Sequence, residues 1–304
     1  MPLNLRREPR RSAVLLAPML ALFTGVLVMP ACLAEQEGLS ELFRSTTSHS
    51  ARQSALRALP LDWLSVHDRR RVHDVVSQAT IYRRLPTHVV DCDPELFQLL
   101  IQYPEIIVDI WNVMGVANIT LDRTGGNTFR ASDGQGTLAQ METLYQSHNR
   151  HLIYAEGTYH GPIFRRPVTA KCVMLLRSAH VQEKDGRHRV TTTLDTFIQM
   201  ERVGAEIMAK TFQPLVGKVA DYNFTETMAF VSKLSHAAET KPHGIERLTH
   251  KLAKVQPDVR HQLVEISERM AAEARRASPA ALSQQAFTKL ARRRQAISTP
   301  AADK

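Results

Sequence analysis

Apolar and polar residues alternate along Val168–Met200 in a way that sets two strands and their pairing. Val168, Ala170, Cys172, Met174 and Leu176 share one parity on the first strand. Val190, Leu194, Ile198 and Met200 share one on the second, with Thr192 and Thr196 between them. A two-residue turn at Asp185-Gly186 would put the two apolar rows on opposite faces, because side chains alternate across a strand. A three-residue loop, Lys184-Asp185-Gly186, instead pairs 183 with 187 and needs glycine at its last, left-handed position, where Gly186 stands. This register predicts Cys172 opposite Ile198, Met174 opposite Thr196 and Leu176 opposite Leu194. The other face would carry Lys171, Arg177, Thr193 and Gln199 into water, so the hairpin is expected to bury one side only. Strands of about 13 residues, roughly 40 Å when straight, are expected to coil.

The flanking pattern supplies the remaining elements. IYRRLPTHVVDC, from Ile81, reads as a strand that Pro86 places at an edge or a bulge. Asp93-Pro94-Glu95 is a helix start, and Tyr103-Pro104 divides the next apolar stretch into two short helices. NITLDR, NTFRAS, GTLAQMETLYQ and HLIYAEGTYH are separated by Gly, Asn and Asp turns, which argues an antiparallel meander. After the hairpin, Met208, Phe212, Leu215, Val219, Phe224, Met228 and Val231 recur at helical spacing, with Pro214 and Gly217 expected to kink or interrupt the helix. Upstream, LPLDWLSVHDRRRVHDVVSQA fits one or two short helices with Ser65 as a cap. The expected class is α+β: a curved antiparallel sheet of about six or seven strands gripping a long C-terminal helix, with extra helices at both ends.

Charge and termini change this picture. Arg6, Arg7, Arg10 and Arg11 precede an apolar run from Ala13 to Leu33 that ends in the small residues of PACLA. That order is the pattern of a secretory signal peptide cleaved after Ala34. An uncleaved anchor or a lipidated Cys32 are the alternatives, and each delivers the chain across a membrane, to a periplasm or outside the cell. The formal net charge of +9 is unevenly spread: +3 lies in residues 1–34, +7 in residues 241–304 and −1 in the body between. Such a distribution argues against a nucleic-acid-binding core. It fits instead a tail (residues 241–304), read as two or three helices, suited to an anionic membrane surface or an acidic partner, or resting on the domain. The expected organisation is therefore a leader (1–34), a polar linker with short helices (35–79), an α+β domain (80–240) and a basic helical tail (241–304).

Candidate chemistry is sparse. No HExxH, G-x-S-x-G or P-loop pattern occurs. The histidine pairs His148/His151 and His67/His73 have no Cys or carboxylate partner at ligand spacing. No metal, cofactor or catalytic group is therefore expected. Asp221 and Glu226 could form an acid/base pair, but lie five residues apart and poorly aligned on one helix face. Cys92 and Cys172 could pair in an oxidising compartment or remain buried thiols.

The order of strand (IYRRLPTHVVDC), two short helices (DPELFQLLIQYPEIIVDIW), meander (Asn118–Met200) and long helix (Gly204–His236) resembles the START-like, helix-grip superfamily. The resemblance implies a cavity between sheet and helix, used by members for lipids, sterols or other apolar molecules; some members are cyclases or hydrolases, and others carry no ligand. Candidate lining residues are Trp111, Met174, Leu194, Ile198 and Phe212, with Tyr154 or Tyr159 as a hydroxyl anchor. The same side chains could equally fill a solid core. The function expected is non-catalytic binding of a lipid or other apolar small molecule, with an envelope scaffold and a cyclase- or hydrolase-like enzyme as alternatives.

Overall fold

The computed structural model describes residues 44–160, 167–183, 186–201 and 213–277. The leader, Cys32, Phe212 and Arg292–Arg294 lie outside the described residues.

Two helices come first, α1 (His49–Ala58) and α2 (Val66–Ser77), each opened by a serine whose hydroxyl accepts a backbone N–H: Ser48 from Ala51, Ser65 from Asp68. Strands β1 (Ile81–Arg84) and β2 (His88–Asp91) come next, then α3 (Pro94–Gln102) and α4 (Glu105–Val113). The meander is β3 (Thr120–Arg123), β4 (Thr128–Ser132), β5 (Thr137–Gln146) and β6 (Arg150–Tyr159). The long hairpin is β7 (Val168–Gln182) and β8 (His188–Met200). Helices α5 (Gln213–Thr240), α6 (Pro242–Thr249) and α7 (Pro257–Ala277) complete the described chain.

All eight strands form one antiparallel sheet in the order β1, β8, β7, β6, β5, β4, β3, with β2 also on β8. The eighth strand arises because the stretch read as one strand breaks around Pro86 into β1 and β2, which pair with β8 in succession. The hairpin register is the expected one: Cys172 faces Ile198, Met174 faces Thr196 and Leu176 faces Leu194. Glu183 N–H donates to Arg187 O at 2.8 Å, and Gly186 sits at φ +86°. A side chain there would meet no neighbouring atom, so the backbone angle alone selects glycine.

On the concave face, Ala170, Cys172, Met174, Leu176, Leu194 and Ile198 join Phe224, Met228, Val231 and Leu234 of α5 in the main core. Within the described residues α5 begins at Gln213, with Pro214 as its second residue, and continues unbroken through Gly217. The expectation of a single buried face is corrected. Val173, Leu175 and Phe197 on the convex side pack with Ala51, Ala55, Val72, Val75 and Val76 of α1 and α2 in a second core. Lys171, Arg177, Thr193 and Gln199 are consequently half-buried. The residues between 49 and 77 thus cover the sheet as a third layer. The described part of the basic segment is also integral: Ile245, Leu252, Val255, Val259, Leu263, Ile266 and Met270 all enter the main core.

Candidate functional site

Between the concave sheet and α5 lies an apolar cleft. Its floor is Ile153, Met174, Leu176 and Leu194; α5 contributes Phe224, Thr227, Met228 and Val231; α3 and α4 close the side with Phe97, Leu100, Ile101, Pro104, Ile107, Val108 and Trp111. Ile101, Pro104 and Ile107 are half-buried, so the mouth opens on the α3–α4 side. The enclosed room is about 60 Å³ and the void counted out to the open mouth about 730 Å³. The enclosed part alone is smaller than the roughly 150 Å³ cavity that accepts benzene, so any larger molecule must lie along the groove and reach the mouth.

These walls arise from local sequence. Asp93 accepts N–H bonds from Glu95 and Leu96 and, with Pro94 at the first helical position, starts α3 so that its apolar stripe meets the sheet. The proline after Tyr103 then lets α4 turn and present Trp111. The Trp111 ring packs edge-on against Phe230, 5.5 Å between centroids. Trp111 is 2% exposed, and its Nε1 has no hydrogen-bond partner among the described residues. Thr227 donates its hydroxyl to Asn223 O at 2.8 Å, leaving oxygen lone pairs toward neighbours.

Of the residues singled out from sequence, Trp111, Met174 and Leu194 line the cleft. Ile198 is in the same core, next to Ile81 and Cys172, but away from the void. Tyr154 points to the convex side: β6 pairs Ile153 with Met174 and Tyr154 with Val173, so the two residues face opposite ways. There Arg71 lies over its ring at 4.0 Å and Glu156 takes its hydroxyl at 3.2 Å. Tyr159 is buried at the other end of β6 and is not a cleft wall. Neither tyrosine is among the residues that line this cleft. Phe212 lies outside the described residues. The α3 wall, Phe97, Leu100 and Ile101, was not singled out, although its amphipathic spacing was visible.

Beside the cleft floor is a histidine cluster. His151 stands on β6 directly across from Leu176 and two residues before Ile153, with both ring nitrogens buried and unpartnered among the described residues. Burial, reinforced by His148, pushes its pKa down to about 4, so the ring is neutral at pH 7. His148 and His180 lie 4.6 Å apart between centroids with their rings tilted at 40°, and Phe97 of the cleft wall meets His180 edge-on at 5.9 Å. Among the described residues no group of three His, Cys, Asp or Glu side chains is arranged to hold a metal ion.

The other polar candidates are engaged elsewhere. Asp221 takes a two-pronged pair from Arg83, with Nε at 2.8 Å and Nη2 on its second oxygen. Cys92 and Cys172 are separate buried thiols, each pushed up to about 12 by burial, and form no disulfide. On the convex side Asp195, fully buried, accepts from Tyr82 at 2.8 Å, Arg84 at 2.8 Å and Arg177 at 2.8 Å. That cluster holds strand to strand beneath α1, and sequence reading gave no sign of it.

No family model matches the chain, and no characterised protein matches it by sequence. Among solved structures it is similar to a conserved protein from Geobacillus kaustophilus, at 10% identity and TM-score 0.37, covering 50% of this chain and 93% of that one. It is similar to Ara h 8.0201 at 9% identity and TM-score 0.32, covering 52% and 99%. The di-domain ARO/CYC BexL from the BE-7585A biosynthetic pathway gives 11% identity and TM-score 0.32, covering 62% of this chain and 59% of that one. With likenesses this distant, the architecture stands on the strand order and register themselves: an α+β chain whose curved antiparallel sheet holds one long helix.

Proposed function

We propose that this chain is an exported, non-catalytic binding protein of the START-like, helix-grip kind, which holds an apolar small molecule between the sheet and α5. The observation that carries the reading is the cleft itself: among the described residues its walls hold no charged side chain, and Thr227 and Trp111 are the only polar-bearing ones. Burial of an apolar molecule there gains roughly 25 cal/mol for each Å² removed from water. Export rests on the arginine-led apolar run of residues 1–34, which lies outside the described residues.

The test is native mass spectrometry and solvent extraction of purified protein from residue 35 onward, followed by displacement of N-phenyl-1-naphthylamine, an uncharged fluorescent hydrophobe. A co-purifying apolar molecule and saturable dye binding are expected. Ile107→Trp, at the half-buried mouth, should abolish both while leaving the circular dichroism spectrum unchanged. Protein that arrives empty and does not bind the dye overturns the proposal.

A second reading, docking on an anionic membrane surface or an acidic partner, is favoured by the exposed Arg275 and Arg276 at the end of α7. Since the apolar stripe of α7 is spent on the core, such docking falls to that end and residues 278–304. Loss of binding to vesicles rich in anionic lipid on deleting residues 278–304 would support it; unaltered binding would end it.

A further inference from the structure

Two polar groups at or beside the cleft stand out because nothing among the described residues satisfies them. Trp111 Nε1 is a donor on the α4 wall, and His151 presents a donor and an acceptor beside the sheet floor; the residues are 2% and 1% exposed, and all three nitrogens are unpartnered among the described residues. Buried polar atoms in native proteins are nearly always hydrogen-bonded, and an unmet one bears the full loss of its water contacts. Trp111 lines the cleft directly. His151 stands behind its floor, paired with Leu176 and two residues before Ile153, both of which line it. The described walls contain no Lys, Arg, Asp or Glu.

Resting on the reading above, we infer that the natural ligand is an uncharged hydrophobe carrying oxygen, an alcohol or ketone rather than a fatty acid or a cationic amphiphile, whose oxygen accepts from Trp111 Nε1–H and whose polar end reaches His151. A carboxylate would enter an apolar cleft whose described walls offer no cation to meet it, and burying an unpaired charge is strongly unfavourable. A pure hydrocarbon would leave both orphans unmet. An oxygen-bearing hydrophobe satisfies them without importing charge. The neutral His151 ring can both donate to an oxygen and accept from a hydroxyl.

The experiment compares octan-1-ol, 1-chlorooctane and octanoate, three chains of equal carbon number differing at the head, by displacement of N-phenyl-1-naphthylamine at pH 7.5. One neutral hydrogen bond corresponds to about a threefold to tenfold change in affinity. The ratio of octan-1-ol to 1-chlorooctane affinity should fall by that factor in Trp111→Phe and in His151→Phe, the ratio cancelling any change in packing that both chains share. Octanoate should bind most weakly. A readout without substitution guards against misfolded variants. The chain has two tryptophans, and Trp63 is 75% exposed, so an ¹H–¹⁵N spectrum shows two indole signals. Only that of Trp111 should move with octan-1-ol, and it should move less with 1-chlorooctane.

Equal affinity ratios in wild type and both variants, with no differential indole shift, overturn this inference but leave the ligand reading standing. Octanoate binding more tightly than octan-1-ol overturns it as well. If the dye binds and none of the three displaces it, this inference fails; if the dye does not bind, the ligand reading fails with it.

Discussion

Arg269 on α7 places its Nη2 2.9 Å from Oδ1 of Asp93, the residue that caps α3. The same carboxylate oxygen accepts the N–H groups of Glu95 at 2.9 Å and Leu96 at 3.0 Å. One acid therefore starts the helix that walls the cleft and fastens the C-terminal helix to it. Asp93→Ala should lower stability by about 1–2 kcal/mol through the lost cap. Arg269→Ala should lower it by less than about 1 kcal/mol, since the guanidinium is partly exposed. Urea denaturation of both variants and the double variant checks this. A double-variant loss smaller than the sum of the two single losses is expected of shared partners.

Truncation should separate the contribution of α6 and α7 from that of residues 278–304. Ending the chain after Ala277 should leave a folded domain with an unchanged melting transition. Ending it after Thr240 should give a chain without a cooperative transition, because α6 and α7 supply Ile245, Val259, Leu263 and Met270 to the main core, and the turn between them supplies Leu252. Circular dichroism melts of the two products provide the measurement.

How much of this could be read beforehand depended on whether the signal was local. The hairpin register came from parity and one glycine, so Cys172 opposite Ile198 was recoverable from sequence alone. Ser65 and Asp93 were legible as caps for the same reason: the bond each makes is to a neighbour. Tyr154 went to the wrong side because choosing a face for β6 requires its pairing with β7, which no turn residue encodes. The second core was hidden in plain composition. Val173, Leu175 and Phe197 interrupt the polar row, but their partners on α1 and α2 lie about a hundred residues or more away in sequence. His151 was weighed only as a metal ligand paired with His148, although as the second residue of β6 its side chain is carried inward beside Leu176.

Asp195 is the buried charge on which the convex layer turns. Removing its carboxylate leaves Arg84 and Arg177 facing one another without a counter-charge, and takes the acceptor from Tyr82. Breaking a buried pair in this way costs about 3–5 kcal/mol. Asp195→Ala should therefore be the most destabilising single substitution discussed. Chemical denaturation of the variant should show a large fall in midpoint, with loss of protection from proteolysis in α1.

His151 gives the fold a sensitivity to acid. Its folded pKa of about 4 lies below the unfolded value of 6.5. Between those values the unfolded chain binds a proton that the folded chain refuses, so stability rises with pH across the window. The contribution is complete above about pH 6.5 and is lost as pH falls toward 4, on the order of 3 kcal/mol in all. His151→Phe should flatten that part of the profile of unfolding free energy against pH. An unchanged slope would assign the acid sensitivity to other groups.

The two rims of the sheet are built from short pieces. On one side β1 and β2, four residues each, take turns along β8, and Arg84 is further bonded to Thr46; on the other, β3 ends after four residues. Neither border offers a long run of free backbone donors and acceptors onto which another chain could add itself. A protein that opens a greasy groove to its surroundings thereby keeps its margins closed to fibre-like stacking.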